Sequence, residues 1–140
     1  MGVSAYRSTR QTISSGPYQT VAFDSTEDDD FGGFDTGTGV YTVQQAGDYH
    51  VDFLIDWDDS FSEGDSITYD LWLNGVADGG FSADTVVATN AAPARGFSKA
   101  LFELSSGDTI EVAVSQSSGS GKDIFGDSTG QTYLTIHKFG

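Results

Sequence analysis

Two histidines, His50 and His137, and no cysteine make up this 140-residue chain's stock for nucleophile activation or soft-metal binding. Without cysteine there is no disulfide, thiolate zinc site or thiol nucleophile. A serine triad needs a histidine placed as a base, and both histidines fall in strand-like segments, where an imidazole packs or serves an interface. Two such residues, far apart in sequence and with no thiolate beside them, do not compose a zinc set. Gly119-Ser120-Gly121-Lys122 looks like part of a phosphate loop, but Gln116 stands where the first glycine belongs. Asp123 then replaces the Ser or Thr required after the lysine, and Asp127-Ser128-Thr129 does not repair the motif. Asp56, Asp58 and Asp59, with Glu63 and Asp65 after them, offer oxygen ligands for calcium without helix-loop-helix spacing, and a solvated loop explains them more simply. Carboxylates are so numerous that any pair is a weak sign of glycosidase chemistry. Neither Asn74 nor Asn90 heads a glycosylation tripeptide. The expectation is a non-enzyme with no catalytic, cofactor-binding or metal-ligating residues.

That abundance of acid is itself informative. Twenty-one acidic residues, seventeen Asp and four Glu, face six basic ones, for a net charge of -15. Attraction to DNA, RNA or an anionic bilayer is thereby excluded. No run of eighteen apolar residues exists, and no basic stretch leads into an apolar one at the start, so neither membrane insertion nor a secretory signal is expected. Acids sit inside strand-like segments, at Asp52, Asp56 and Asp70, as well as in the block Glu27-Asp28-Asp29-Asp30. Such a surface suits molar salt, where the Debye length falls to about 3 Å. The composition resembles that of halophilic proteins; a merely soluble acidic protein is the alternative. The acidic block reads as a solvated loop, with cation binding as its alternative.

The elements that must position these groups read as all-β. Eighteen glycines, two prolines and short apolar runs between glycine clusters are the signature. From Asp48 to Trp57 the alternation is strict: Tyr49, Val51, Phe53, Ile55 and Trp57 share one face, and His50, Asp52, Leu54 and Asp56 the other. Ile67 to Leu73 alternates likewise and ends at Asn74-Gly75, a hairpin turn. Further strands are expected at Val3–Arg7, Thr20–Phe23, Val40–Val43, Gly80–Ser82, Phe97–Leu104, Thr109–Ser115 and Thr132–Phe139. Val86 to Ala94 is the nearest helical candidate, and Pro93 limits it. The sum is a two-sheet antiparallel sandwich of about eight to ten strands, a single domain over residues 1–140.

The order of motifs resembles the jelly roll shared by tumour necrosis factor and the globular head of the first complement component. Gly37-Thr38-Gly39-Val40-Tyr41-Thr42-Val43, then Gly47-Asp48-Tyr49, is similar to the family's glycine-led strand and Gly-x-Tyr entry to the third strand. Phe102 to Val112 resembles its Leu-x-x-Gly-Asp-x-Val hairpin, and Tyr133-Leu134-Thr135-Ile136 its closing strand. The opening Val3 to Ser8, with Thr20 to Asp24, looks like small jelly-roll domains of tail and fibre proteins of viruses infecting prokaryotes. No collagen-like stalk or coiled-coil heptads accompany these motifs, so another chain must anchor the domain.

The resemblance implies a threefold homotrimer. Counting back by twos from Leu104 places Ser98, Ala100, Phe102 and Leu104 inward and Phe97, Lys99, Leu101 and Glu103 outward. The expected core is then Tyr49, Val51, Phe53, Ile55, Trp57, Phe102, Leu104, Leu134 and Ile136. The expected trimer interface is Leu54, Phe97, Lys99, Leu101, Tyr133, His137 and Phe139, with Lys99 pairing Asp52 or Asp56 of the same or a neighbouring subunit. Phe97 and Tyr133 match aromatic positions at the family's trimer axis. Loops covering that face in a monomer are the alternative. The expected function is a non-enzymatic virion protein forming a knob on the tail or capsid surface, held by other virion proteins and touching a host glycan or protein. The contact loops would be Glu27–Gly33, Asp58–Ser66, Gly75–Pro93 and Ser117–Asp127. A carbohydrate-binding or adhesion module of cellular origin, using Trp72, is the rival, and a hydrolase the distant third.

Overall fold

The structure, a computed structural model, describes residues 2–87, 90, 92–127, 129 and 131–140, with side chains at all of these except 77–81, 84 and 86. Its strands are β1 (Gly2–Tyr6), β2 (Gln11–Ile13), β3 (Gln19–Thr20), β4 (Ser25–Asp29), β5 (Phe34–Asp35), β6 (Val40–Thr42) and β7 (Gly47–Asp56). There follow β8 (Ser66–Leu73), β9 (Val76–Val86), β10 (Ala94–Leu104), β11 (Thr109–Gln116), β12 (Lys122–Ile124) and β13 (Tyr133–Lys138). All pairings are antiparallel, and no helix occurs among the described residues. Of the window Val86 to Ala94, residues 88, 89 and 91 lie outside the described ones; β9 and β10 flank it.

One sheet runs β10-β7-β13-β1-β4, and its partner β5-β6-β11-β8-β9 with β3 beside β11; β2 and β12 form a separate pair. The thirteen strands among the described residues exceed the expected eight to ten through β2, β5 and β12, each only two or three residues long, and through β4, while β3 is what forms of the strand expected at Thr20–Phe23. Runs that short carry no period. The acidic block, expected as a solvated loop, lies largely in β4, an edge strand whose Thr26, Glu27 and Asp28 are all exposed. Backbone pairing to β1 makes it a strand while its side chains advertise a loop.

The core lies between the two sheets. Tyr49, Val51, Phe53 and Ile55 of β7 are fully buried, as are Leu134 and Ile136 of β13, facing Ile67, Tyr69 and Leu71 of β8 and Ile110, Val112 and Val114 of β11. Trp57 is buried just past β7, its indole N–H donating to the Tyr69 hydroxyl at 2.9 Å. The β8–β9 turn is closed by Asn74 and Gly75 at φ 55° and 75°, a two-residue hairpin matching the twist of its strands.

Strand β10 departs from its expected phase. Phe97 stands opposite Phe53, and its ring packs inward at 5.2 Å from Phe53 and 5.0 Å from Tyr69. Leu101 is buried, opposite Tyr49, whereas Phe102 is 64% exposed. Phe97 and Leu101 therefore belong to the core side, and Phe102 leaves it. The cause is a bulge between Leu101 and Leu104, where Glu103 takes φ 55°. An extra residue there reverses the side-chain phase, so Leu104 points in and counting back by twos fails beyond it. Lys99 shifts with its neighbours. It stands in register with Val51, while Asp52 pairs with Ser98 and Asp56 with Ala94 on the other face, so the expected Lys99 pairing with either acid within one chain does not form.

Candidate functional site

The face of the five-stranded sheet that turns away from the core is the surface on which the expected interface residues can be placed. Register fixes its rows. Gly96, Leu54, Tyr133 and Tyr6 form one row across β10, β7, β13 and β1. Ser98, Asp52, Thr135, Ser4 and Asp28 form the next, reaching β4. Ala100, His50, His137 and Gly2 form the third. Beyond it Phe102 meets Phe139 edge-to-face, ring centres 6.0 Å apart.

Of the seven interface candidates, Leu54, Tyr133, His137 and Phe139 lie on this face, Phe97 and Leu101 turn inward, and Lys99 sits on the free edge strand, exposed. The face is less apolar than the sequence implies. Aromatic groups mark its two ends, Tyr133 at 36% and Phe102 and Phe139 at 64% and 51% exposure, and a polar band lies between them. In that band His50 holds its Nδ1 3.1 Å from Asp52 and its Nε2 2.8 Å from the Ser98 hydroxyl, beside His137 on the next strand. Tyr6 was not singled out in the sequence and Phe102 was expected in the core; the β1–β13 register and the bulge assign them here.

A cleft of about 150 Å³ opens toward the β4 end of the face, lined by Gly2, Ser4, Asp28, Asp30, Thr135 and His137. Gly2 donates its N–H to Asp30 at 3.0 Å there. Asp29 is spent on the turn, accepting from the Gly33 and Phe34 N–H groups.

The remaining acids are mostly engaged in holding loops. Asp58 pairs with Arg10, Asp59 accepts the Asp123 N–H and Asp65 the Ser62 N–H. Burial pushes the Asp56 carboxyl up, with Asp58 and Asp127 adding repulsion. Asp24 goes down: burial opposes this, but hydrogen bonds from the Ser8 N–H and hydroxyl and from Ser25, with Arg7 nearby, outweigh it. Among the described residues no three His, Asp or Glu converge as a metal-holding group. Lys122 of the phosphate-loop-like stretch reaches the Ser60 carbonyl instead, over the Phe61 ring.

Trp72, on the outer face of the other sheet, is half-buried. Tyr18 packs on it with ring centres 5.6 Å apart and planes tilted by 56°, and its N–H donates to Asp70 at 3.2 Å. This is not the open ring that stacking on a sugar requires.

No family model matches the chain, and no curated protein does. Among solved structures, the globular domain of the zebrafish complement 1qA protein superposes with a TM-score of 0.65 at 18% identity, covering 98% of this chain and 94% of that one. The chain thus has the jelly-roll fold of the complement and tumour-necrosis-factor-like globular heads.

Proposed function

We propose that this chain is a non-enzymatic head module that works as a homotrimer, with the outer face of the five-stranded sheet turned toward two further copies. The observation that carries this is the exposure of Tyr133, Phe102 and Phe139 on one sheet face. The Phe102–Phe139 pair at one end of the face and Tyr133 at the other are rings left outside the core, of the kind that other protein covers, and threefold assembly is what the family resemblance implies. In the particle, three identical loop sets would engage a repeating target, so weak contacts combine through effective concentration.

The proposed setting is the surface of a virus particle, tail or capsid, where the knob attaches to a host or decorates the shell. The opening motif's similarity to phage-type tail and fibre domains supports it. The -15 charge supports a salt-rich milieu, since mutual repulsion of three such chains is screened there. Mass spectrometry and imaging of purified particles test the setting: the chain at a vertex or tail tip is expected, and its absence refutes it. The covering of Trp72 by Tyr18 counts against a glycan platform; glycan-array binding lost in Trp72→Ala would restore that rival.

A further inference from the structure

In a chain with 21 acids and six cations, the cations are informative in what they hold. Arg7 binds the Ala22 and Arg10 carbonyls, and Arg10 pairs with Asp58. Arg95 bonds Thr85 and lies over the Phe97 ring. Lys122 holds the Ser60 carbonyl and Lys138 the Gly140 carbonyl. Among the described residues Lys99 is the one cation of the six whose side chain has no in-chain hydrogen bond or ion pair, and it is exposed.

Its position is specific. Lys99 stands on β10, one free edge of the five-stranded sheet, and the opposite free edge is β4, which brings Glu27, Asp28 and Asp29, with Asp30 just beyond. One edge therefore carries an unspent cation and the other a row of acids beside the 150 Å³ cleft. A closed threefold ring needs a heterologous contact, in which one patch of each copy meets a different patch of the next. Two unlike patches of opposite charge on the two edges of one sheet meet that requirement.

We infer that Lys99 of each copy, exposed at the β10 edge, pairs with Asp28, at the mouth of the cleft on the β4 edge of the next copy, so that the ring closes head to tail, edge to edge. This rests on the trimer reading above. It also adds an attractive electrostatic contact to an assembly whose net charges repel. The contact fixes which edge meets which, the role in which interfacial charge pairs are most effective.

Sedimentation of the purified chain and its charge variants, with circular dichroism to confirm folding, tests this. Lys99→Glu should raise the concentration for half-assembly by about tenfold or more, and Lys99→Arg should leave it near wild type. Lys99→Glu combined with Asp28→Lys should restore assembly. Both changes belong in one chain, because an odd-numbered ring cannot alternate two kinds of subunit. The Lys99→Glu defect should shrink in molar salt, where the Debye length is about 3 Å. A wild-type trimer unaffected by Lys99→Glu overturns the pairing alone. Loss of assembly that the double reversal does not restore overturns Asp28 as the partner. A wild-type chain that is monomeric at every salt concentration overturns the trimer and this contact together.

Discussion

Truncating Phe97 to alanine removes a ring lodged between Phe53 and Tyr69 and covered from outside by Arg95. Deleting a well-buried phenylalanine costs about 3–5 kcal/mol. Phe97 lies on an edge strand and is only partly buried, so the lower end, about 3 kcal/mol, applies. For a domain of this length each kcal/mol moves the melting temperature by about 3–4 °C, a fall of about 10 °C in all. Phe102→Ala is the matched control: its ring is mostly exposed, and its loss should change unfolding by less than about 0.5 kcal/mol in the separated chain. Urea unfolding followed by tryptophan fluorescence, at a protein concentration low enough that each variant sediments as a single chain, reads both values. A large loss at Phe102 with little at Phe97 would refute the reversed phase of β10 and the composition of the outer face built on it.

Tyr69→Phe leaves the buried Trp57 N–H without its acceptor and should cost about 1–3 kcal/mol in the same assay; an unchanged midpoint removes that hydrogen bond from the core's accounting. Asp24 has a depressed folded pKa, so its stabilisation is present above the unfolded value and is lost as pH falls through the folded one. Asp24→Asn should therefore be less stable than wild type at pH 7, the gap closing in acid; a gap constant with pH contradicts this. Asp56 has the opposite sign. Its raised pKa means that stability is lost as pH rises through the folded value, so Asp56→Asn should gain stability at neutral pH and none in acid. Gly39 combines φ 80° with a would-be Cβ 2.3 Å from the Val21 carbonyl, so Gly39→Ala should lower the unfolding free energy by more than about 1 kcal/mol in urea titration, and a neutral outcome would mean that the turn relaxes.

Strands β7 and β8 were legible because each turns its large apolar residues to one face, so period two runs unbroken from Tyr49 to Trp57 and from Ile67 to Leu71, even though Asp70 on the other face of β8 is also buried. The same rule misled at β10. Phe97, Leu101 and Leu104 all point in, a spacing of four and then three that no single phase contains, and only the bulge at Glu103 reconciles it. β4 stayed hidden for a different reason: an edge strand's backbone pairs while its carboxylates face water, and side-chain pattern is silent about backbone pairing. Of the outer face, Leu54, Tyr133, His137 and Phe139 followed from alternation on β7 and β13. Phe102, the covering of Trp72 by Tyr18 and the opposed charge of the two sheet edges needed the register between distant strands.

Association through the sheet's outer face is most directly tested by sedimentation equilibrium of the wild-type chain in molar salt, beside Tyr133→Asp. Self-assembly predicts a wild-type mass of three times 14.8 kDa and a folded Tyr133→Asp variant that sediments as a single chain. A wild-type mass of 14.8 kDa at all concentrations, with Tyr133 simply solvated, would contradict it.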